Sequence, residues 1–348
     1  MGDAPGARER LHASLLKLRD VYRAGVKRSR YRAELARYNE RLGLSADIRD
    51  FERARRQTGC DVEEYFGFEF YKKGEAERDT YLTRVRRSAL IRRIGDVDEG
   101  LTVPGNKILF NQYFAEFLGR SWINPTAATP EEFVAFVRSL GTVIVKPAEL
   151  RCGIGVYKYR YEGDEAALGL YQKLYGEGTV VEEVLAQHPR LNELNPNVVN
   201  SLRVATYTDA EDVHILATAL RTARDTQGDK CVDNMKAGGL GCPVDVRTGR
   251  ICAPAFNVLL ERFETHPMTG VRFEGFQLPM WDQVIECVRA IARKAYMLPQ
   301  CRYLGWDIAF KPDGVAVIEG NWQQGCDIIE YGGQPGFYHE LKRLCEKR

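Results

Sequence analysis

The sequence predicts an α+β protein, in which strand pairs that form hairpins are mixed with helices. Residues 202–207 and 213–220 have the pattern of two adjacent strands, and residues 305–321 form a second such pair. Residues 107–118 and 281–295 have the apolar spacing of helices. Regular strand–helix–strand alternation, which would indicate a doubly wound parallel sheet, is missing from this pattern.

Length and composition describe an ordinary soluble protein with room for two or three compact units. The chain has 348 residues, of which 44% are hydrophobic and 28% are charged. A net charge of +2 gives no polyanion-binding signature, so we expect no nucleic-acid partner. No apolar stretch is long enough to cross a bilayer, and the nine cysteines include no Cys-x-x-Cys pair. These features predict a cytoplasmic protein with reduced thiols.

About the first hundred residues predict a helical domain, residues 1–100, that is rich in basic side chains. Helices are predicted over 11–42, 45–57 and 75–93. The basic residues that crowd the first helix are Lys17, Arg19, Arg23, Lys27, Arg28, Arg30, Arg32 and Arg37. A basic helical face is most often solvated surface. The alternative is a docking site for a membrane surface, an acidic partner or an acidic substrate.

The hairpin 305–321 carries the most informative polar side chains of the chain. Its turn, Pro-Asp-Gly at 312–314, predicts a three-residue loop, because proline presets φ and glycine accepts the left-handed position. The cross-strand pairs that follow are Lys311 with Val315, Asp307 with Glu319, and Gly305 with Asn321. Two carboxylates therefore face each other across the hairpin.

Strand alternation puts Asp307, Glu319 and Asn321 on one face of this hairpin. The opposite, apolar face is predicted to hold Trp306, Ile308, Phe310 and Ile318. Two like charges across a ladder are destabilising unless a cation lies between them. Oxygen ligands of this kind suit Mg²⁺ that enters with the phosphates of a nucleotide. The alternative is a pair of solvated carboxylates at a sheet edge.

A glycine-containing loop connects two predicted strands in the middle of the chain. Apolar residues 143–145 lead to Lys146, and Gly153 and Gly155 precede the next strand at 156–161. Glycines let backbone N–H groups approach phosphate oxygens, whereas Walker A and dinucleotide loops open into a helix. Lys146 has no obvious carboxylate partner nearby in sequence, and a phosphate would satisfy it. The two glycines alone would indicate only a turn.

A further apolar strand at 179–185 turns acidic near its end. Glu182 and Glu183 are followed by Val184 and Leu185. Such a segment offers backbone donors and acceptors to the edge of an adenine, and a carboxylate to ribose hydroxyls. The alternative is a strand end with solvated acids.

Taken in order, these segments resemble the ATP-grasp superfamily, and specifically its sugar-transfer-associated family, over about residues 101 to 335. The motifs that carry the resemblance are Lys107 at a helix start, Val-Ile-Val-Lys146-Pro, the Gly153 and Gly155 loop, Glu182-Glu183-Val-Leu, Gln187-His188-Pro189, Asn200-Ser-Leu-Arg203, Asp233-Asn234 with Gly238-Gly239, Gly305-Trp-Asp307 and Ile-Glu319-Gly-Asn321. The resemblance implies an ATP-grasp fold, in which two α+β subdomains, residues 101–183 and 184–348, enclose ATP.

The resemblance also implies roles for individual residues. The ATP phosphates would be contacted by Lys107, Lys146, Gly153 and Gly155, and the adenine hinge would be formed by Glu182, Glu183, Val184 and Leu185. Mg²⁺, for which Mn²⁺ could substitute, would be held by Asp307, Glu319 and Asn321. The phosphoryl group or the acceptor carboxylate would be steadied by Arg203. The acceptor side would include His188, Asn200, Asp233, Asn234, Gly238 and Gly239.

Several of these residues have simpler interpretations. Arg203 alternates with apolar neighbours and could be a surface arginine, and His188 before a proline is most often a turn residue. Asp233 and Asn234 could form a surface turn. Arg221 ends a long strand and is a candidate to clamp a carboxylate with both ends of its guanidinium.

The resemblance predicts an ATP- and Mg²⁺-dependent ligase that forms a C–N bond through an acyl phosphate and releases ADP. Its substrates would be a carboxylate acceptor and an amine, of the amino acid, amino sugar or sugar-acid type. One alternative is a small-molecule or sugar kinase that phosphorylates a hydroxyl. Another is a non-catalytic nucleotide-binding partner of a glycan-assembly complex. The sequence shows no Ser-His-Asp or Cys-His arrangement, which fits catalysis by positioning and electrostatics.

Overall fold

Two antiparallel sheets, with helices packed against both, make up the described chain. A computed structural model describes residues 26–96, 102–150, 153–224, 238–322, 324–325 and 327–347. The N-terminal helices are α1 (26–42), α2 (Ile48–Thr58), α3 (Val62–Gly67), α4 (Glu75–Arg78) and α5 (Arg84–Ile94). The helix predicted over 75–93 is thus two helices, because Thr83 caps the start of α5 by accepting a hydrogen bond from the Arg86 backbone N–H.

A smaller sheet follows the N-terminal helices. Its elements are α6 (Thr102–Gly105), α7 (Lys107–Tyr113), β1 (Trp122–Ile123), α8 (Pro130–Leu140), β2 (Thr142–Pro147), β3 (Tyr157–Arg160), α9 (Asp164–Leu174) and β4 (Thr179–Glu183). The antiparallel strands lie in the order β1–β4–β2–β3. Phe133 and Val137 of α8 and Leu170 of α9 pack on Val143 and Val181 of the sheet. The two helices therefore cover one face and leave the other free to form a cleft.

A larger sheet forms the C-terminal part of the chain. Its elements are α10 (Pro189–Asn192), β5 (Ser201–Thr208), β6 (Val213–Thr222), β7 (Leu240–Val244), β8 (Ala255–Phe256), β9 (Arg262–Phe263), α11 (Trp281–Ala295), β10 (Tyr303–Lys311), β11 (Gly314–Trp322), α12 (Asp327–Glu330) and α13 (Tyr338–Glu346). The antiparallel strands lie in the order β11–β10–β5–β6–β7–β8–β9. The predicted hairpin over 202–220 and the predicted helix over 281–295 are present, and the α+β prediction is confirmed.

The two faces of the larger sheet differ in character. On one face, Leu202, Val204 and Trp306 pack against Val284 and Ile291 of α11 in a buried core. Residues that alternate with these point to the other face, as the two-residue period of a strand requires. We call this other face the site face, because it carries Arg203, Arg221 and Asp307.

The N-terminal helices pack on the site face. Ala205 and Tyr207, which follow Arg203 along β5, share one buried core with Phe51 of α2 and Tyr65 of α3. Tyr331, in the C-terminal segment after α12, belongs to the same core and lies 5.2 Å from the Phe68 ring. The helices therefore bury their apolar surface against the sheet, beside the polar residues of the site face. Recruitment of an acidic partner or a membrane by their basic residues stays a prediction.

In the hairpin of β10 and β11, the polar residues pair as predicted, but the turn and the register near it differ from the prediction. Asp307 pairs with Glu319 and Gly305 with Asn321, as predicted. The predicted pairing of Lys311 with Val315 is wrong, because Lys311 pairs with Gly314 and the turn has two residues instead of three. A bulge at Ile318 restores the register, since Ile308 pairs with Val317. The bulge also turns Ile318 into the cleft between the sheets, so its predicted place on the apolar face is wrong.

Two features of the described residues relate to the predicted cytoplasmic location: the length of the helices and the state of the cysteines. Within the described ranges, no helix is both long and apolar enough to cross a membrane. Six cysteines in these ranges are free thiols. Cytoplasmic location stays a prediction.

Two buried carboxyl groups hold the turn that precedes α5. Glu330 accepts hydrogen bonds from the backbone N–H groups of Leu82 and Phe337, and Glu64 accepts one from the N–H of Arg84. Burial raises the pKa of Glu330 to about 8 and that of Glu64 to about 7, and backbone hydrogen bonds offset only part of this effect. The junction between the N-terminal helices and the C-terminal segment is therefore sensitive to pH.

We expect the free energy of unfolding to fall as the pH rises from about 5 to 8. The folded chain binds the Glu330 proton more tightly than the unfolded chain, so this contribution is complete below the unfolded pKa and is lost as the pH rises through 8. The loss is at most about 1.4 kcal/mol for each pH unit. Denaturant unfolding of Glu330→Gln should give a flatter pH profile, and Glu162→Gln, at an exposed carboxyl, should match the wild type. A Glu330→Gln profile as steep as the wild type would contradict this assignment.

Candidate functional site

A cavity of about 420 Å³ lies in the cleft between the two sheets. The predicted site residues that line it from the smaller sheet and the segment after β4 are Lys146, Gly153, Glu182, Glu183, Val184 and Leu185. Those that line it from α7 and the larger sheet are Lys107, Arg221, Asp307 and Glu319. Ten residues chosen from the sequence thus meet around one cavity, although they are spread over about two hundred positions of the chain.

Glu182 is the centre of a buried polar cluster on the smaller sheet. Its carboxylate is 1% exposed and accepts hydrogen bonds from Arg120, from the Asn111 amide at 2.9 Å and from Lys146 Nζ at 2.6 Å. Burial alone would raise the pKa of Glu182, but the charges of Arg120 and Lys146 outweigh it and lower the pKa far below its usual range. Lys146, which has no carboxylate partner nearby in sequence, thus pairs with one that lies 36 positions away.

Arg120 joins this cluster to the larger sheet. Its Nε and Nη2 donate to the two oxygens of Glu182, each at 2.9 Å. Its Nη1 donates to the backbone carbonyls of Leu118 and Val317, and its Nη2 also donates to that of Ile318. One guanidinium thus ties the end of β4 to the bulge in β11.

Asp307 is the centre of a second buried cluster, on the site face. It is 1% exposed and accepts bonds from Arg203 Nε at 2.5 Å and from Arg221 Nη2 at 2.8 Å. Arg221 also donates to the hydroxyl of Ser201. Burial would raise the pKa of Asp307, but the two arginines outweigh it and lower the pKa to about 2. Arg203 is therefore not a surface arginine, and it positions Asp307 without lining the cavity.

Glu319 lies beside Asp307, but its pKa is shifted in the opposite direction. Burial and the negative charge of Asp307 raise the pKa of Glu319, while Lys107, Arg221 and Arg203 act to lower it. The Asn321 amide donates to Asp307 at 3.2 Å and to Glu319 at 3.3 Å. The three predicted metal ligands are therefore together. Nowhere in the described ranges do three or more His, Cys, Asp or Glu side chains form a group that could hold a metal ion.

The glycine loop and Lys107 meet at the mouth of the cavity. Lys107 Nζ donates to the carbonyls of Pro147 at 3.2 Å and Leu150 at 2.6 Å. Gly153 and Gly155 have φ of 73° and 74°, which side chains rarely adopt. A Cβ on Gly155 would lie 2.8 Å from the Pro147 ring. Only Gly153 of the pair lines the cavity, and Gly155 serves the fold of the loop.

The predicted acceptor-side residues are placed differently from the others. Asn200 is fully buried and donates to Gln187 Oε1 and to the Leu191 carbonyl, so it organises the segment before β5. His188 caps the start of α10, because its Nδ1 accepts a hydrogen bond from the Arg190 N–H. This agrees with the simpler interpretation of His188 as a turn residue. Neither side chain lines the cavity. Gly238 and Gly239 directly precede β7, whereas Asp233 and Asn234 lie outside the described residues.

Sequence reasoning missed several residues of the cavity and its clusters, and four of them are the most informative: Arg120, Asn111, Ile144 and Ile318. Arg120 and Asn111 bind Glu182 from 62 and 71 positions away, a separation that leaves no local pattern. Ile144 and Ile318 line the cavity from the two sheets. The alternation of β2 gave a signal for Ile144, because Val143 and Val145 on either side of it are buried in the core. Ile318 gave none, since a bulge has no sequence period.

Removing the Arg120 guanidinium should destabilise the fold far more than removing an exposed one. Arg120→Met leaves the buried Glu182 carboxylate without two of its four hydrogen bonds, and we expect a loss of about 3–5 kcal/mol. Arg138→Met, which breaks the exposed pair with Asp164, should change the stability little, because solvent screens an exposed ion pair. Denaturant unfolding measures both losses. Equal losses would show that the Arg120 bridge does not hold the two sheets together.

Comparison with known proteins identifies a family for the chain. Residues 96–346 match the profile of a family described as sugar-transfer associated ATP-grasp. A search of curated proteins finds no significant match. Solved structures similar to the chain include D-alanyl-alanine synthetase A from Vibrio cholerae, at 12% identity and a TM-score of 0.38, where the match covers 70% of this chain and 61% of that one. The chain thus spans about three fifths of that relative's length.

Two further solved structures give a similar result. D-cycloserine synthetase matches at 12% identity and a TM-score of 0.44, over 83% of this chain and 82% of that one. D-alanine–D-alanine ligase from Bacillus anthracis matches at 14% identity and a TM-score of 0.37, over 70% and 66%. We base no activity on likeness at this level. The family match, in contrast, covers well over half of the sequence, and the chain therefore belongs to the sugar-transfer-associated ATP-grasp family.

Proposed function

We propose that this chain is an ATP- and Mg²⁺-dependent ligase that joins a carboxylate acceptor to an amine. The observation that carries the proposal is a cavity with an excess of cationic side chains. The carboxylates that line it already accept hydrogen bonds from protein groups. Five cationic side chains line it against four acidic ones: Lys107, Arg120, Lys146, Lys158 and Arg221 against Glu182, Glu183, Asp307 and Glu319. An excess of positive charge in a cleft favours a polyphosphate.

The nucleotide would lie between the two sheets. Ile144 and Ile318 offer apolar walls to a base from opposite sides, and Val184 and Leu185 offer backbone groups to its edge. The Glu182 carboxylate is taken by Arg120 and Lys146, so a ribose hydroxyl would meet another carboxylate. That group is Glu183, which lines the cavity and accepts one hydrogen bond from the Ser121 N–H.

The phosphates would lie at the lysines. Lys146 and Arg120 together carry two positive charges against the single charge of Glu182, so the buried cluster keeps one positive charge in excess. Lys107 stands at the start of α7, where its ammonium faces the glycine loop. These groups would stabilise negative charge that develops on the transferred phosphoryl group.

The acceptor is better assigned as a carboxylate than as a hydroxyl. Phosphorylation of a hydroxyl needs a base to take its proton, and no histidine is among the described residues that line the cavity. Asp307 is a weak base, because Arg203 and Arg221 lower its pKa to about 2. Glu319 has a raised pKa, but its carboxylate accepts a hydrogen bond from the Asn321 amide. A carboxylate acceptor is already ionised and needs no base, which favours the ligase over the kinase.

Mg²⁺ fits the side chains on the hairpin. Asp307 and Glu319 supply carboxylate oxygens, the donors that Mg²⁺ prefers. The Asn321 amide, whose nitrogen donates to both carboxylates here, would turn its oxygen to the ion. Burial and the neighbouring charge of Asp307 raise the pKa of Glu319, so a positive charge between the two carboxylates is favourable. Mg²⁺ held by these residues would neutralise charge on the phosphate oxygens.

The proposed chemistry has two steps. An oxygen of the acceptor carboxylate attacks the γ-phosphorus, the bond from that phosphorus to the β–γ bridging oxygen breaks, and ADP leaves. The amine then attacks the acyl carbon, inorganic phosphate leaves, and the amine nitrogen loses a proton. Arg221, which is anchored by Ser201 and Asp307, would hold the acceptor carboxylate or the phosphoryl group.

Glu319→Gln should abolish Mg²⁺-dependent turnover without unfolding the chain. The change keeps the side-chain shape but removes one of two carboxylates, and we expect at least a hundredfold loss of ADP release. Release would be measured with pooled amino acids, amino sugars and sugar acids as substrates. Asp313→Asn, at the exposed turn of the same hairpin, is the matched control and should keep full turnover.

Binding of the nucleotide is measured separately from turnover. MgATP at a hundred times its dissociation constant should stabilise the wild-type chain by roughly 2.7 kcal/mol. No thermal shift with MgATP would refute the nucleotide site itself. A normal shift, with Glu319→Gln as active as the wild type, would refute only the metal assignment.

The nucleotide product distinguishes the ligase from its rivals. An acyl-phosphate ligase should release ADP and inorganic phosphate and should form an amide only when both carboxylate and amine are present. Chromatography of the nucleotides and mass spectrometry of the organic product would measure this. ADP with a stable phosphorylated product and no free phosphate would indicate a kinase. AMP with pyrophosphate would contradict both, because the lysines and carboxylates described above are directed at the γ-phosphate.

A further inference from the structure

A second cavity, of about 320 Å³, lies where the N-terminal helices meet the edge of the larger sheet. Its walls are the end of α1, the segment after α3 and the loop between β8 and β9. The apolar part of its lining is formed by Leu42, Leu44, Phe66, Phe256 and Leu260. It shares no lining residue with the nucleotide cavity, so the two cavities are separate sites.

The polar part of the lining is cationic. Arg41, Lys72 and Arg262 face Glu69 and Glu261. Glu69 binds Lys72 at 2.7 Å and Arg262 at 3.0 Å, so one carboxylate is shared by two cations. The charges therefore favour an additional anion at this place.

Arg41 is the cation that has no carboxylate of its own. Its guanidinium lies over the Tyr38 ring, 4.2 Å from the centroid, and it has no acidic partner among the described residues. The Tyr38 ring is itself stacked on Phe66, at 5.0 Å between centroids. The aromatic stack holds the guanidinium at the cavity and leaves its N–H donors available to a ligand.

Backbone strain is concentrated at the same cavity. Across the part of the chain that is described, four residues other than glycine have positive φ, and two of them, Glu69 at 56° and Leu260 at 64°, line this cavity. Such conformations cost free energy and persist only where the surrounding structure holds them, and they cluster at active sites, ligand clamps and switch regions. Gly332 closes the same wall, where a Cβ would lie 2.6 Å from Phe256.

The second cavity lies on the site face. Arg221 pairs with Gly241, Gly241 with Phe256 and Phe256 with Arg262, so these residues form one row across four strands. At about 4.8 Å per strand, Phe256 is roughly 10 Å from Arg221. A ligand in the second cavity would thus lie beside the reaction site, on the face that the N-terminal helices cover.

We propose that the second cavity binds a small organic anion with an aromatic or apolar body. The anion, a carboxylate or a sulfonate, accepts hydrogen bonds from Arg41 and Arg262, and the body packs between Phe66 and Phe256. Arg262 reaches the ligand while it keeps its ion pair with Glu69. The nucleotide cavity takes no part, so this site stands whether or not the chain is a ligase.

The probe for this site is 1-anilinonaphthalene-8-sulfonate, an aromatic anion whose fluorescence rises when it is bound. It would be titrated into the full chain in excess MgATP, with thermal unfolding as the check that each variant is folded. We expect saturable binding of one probe molecule per chain. Arg41→Gln and Arg262→Gln should each weaken it about tenfold, the effect of one lost charge-assisted hydrogen bond.

Arg56→Gln is the matched control, because it removes the same charge from an exposed position on α2 outside the cavity. The probe should bind this variant as it binds the wild type. Absence of saturable binding would overturn the proposal, and so would equal losses in Arg41→Gln and Arg56→Gln, which would indicate general attraction to a basic surface. Arg41→Gln decides the outcome if Arg262→Gln unfolds, because Arg41 has no ion pair among the described residues.

Discussion

The position of the two sheets depends on one buried guanidinium. Arg120 uses all five of its N–H groups: two bonds to Glu182, and one each to the carbonyls of Leu118, Val317 and Ile318. A buried carboxylate is stable only when it is paired and hydrogen-bonded, and so is a buried guanidinium. Because the partners lie on different sheets, neither group is satisfied unless the sheets are in place. A lysine, with one ammonium and no planar fork, could not make these bonds.

The same bridge determines what the cavity can bind. The single negative charge of Glu182 is neutralised by Arg120. The positive charge of Lys146, the other partner of Glu182, therefore remains in excess at the cavity. On the opposite wall, Arg203 and Arg221 hold Asp307 in its ionised form. Glu182 and Asp307 are each paired with two cationic side chains, so the cavity is cationic overall although four acidic side chains line it. This arrangement suits a polyanion and disfavours a neutral ligand.

The sequence was informative where its pattern is local, and misleading where the pattern is broken. The pairing of Asp307 with Glu319 was predicted correctly, but by two errors that cancel: the turn is one residue shorter than predicted, and the bulge at Ile318 adds one residue back. Bulges leave no period in a sequence, so this cancellation had no signal. The Lys146–Glu182 pair spans 36 positions, and only the pairing of β2 with β4 brings the two together. The sequence was enough to bring Asp307, Glu319 and Asn321 together. It was not enough to predict distant partners such as Arg120, which change the pKa of the carboxyl groups at the cavity.

The N-terminal helices cannot be separated from the site by simple truncation. Ala205 and Tyr207 would lose their covering if α1 to α5 were removed, and the turn held by Glu330 would be lost. A chain that starts after the helices would therefore expose a large apolar area on the site face, which is unfavourable at about 25 cal/mol for each Å². Any loss of activity in such a chain would report unfolding rather than recruitment. Substitution of exposed basic residues such as Arg30 and Arg37 leaves that core intact, and so it separates a recruiting role of the helices from their role in the shared core.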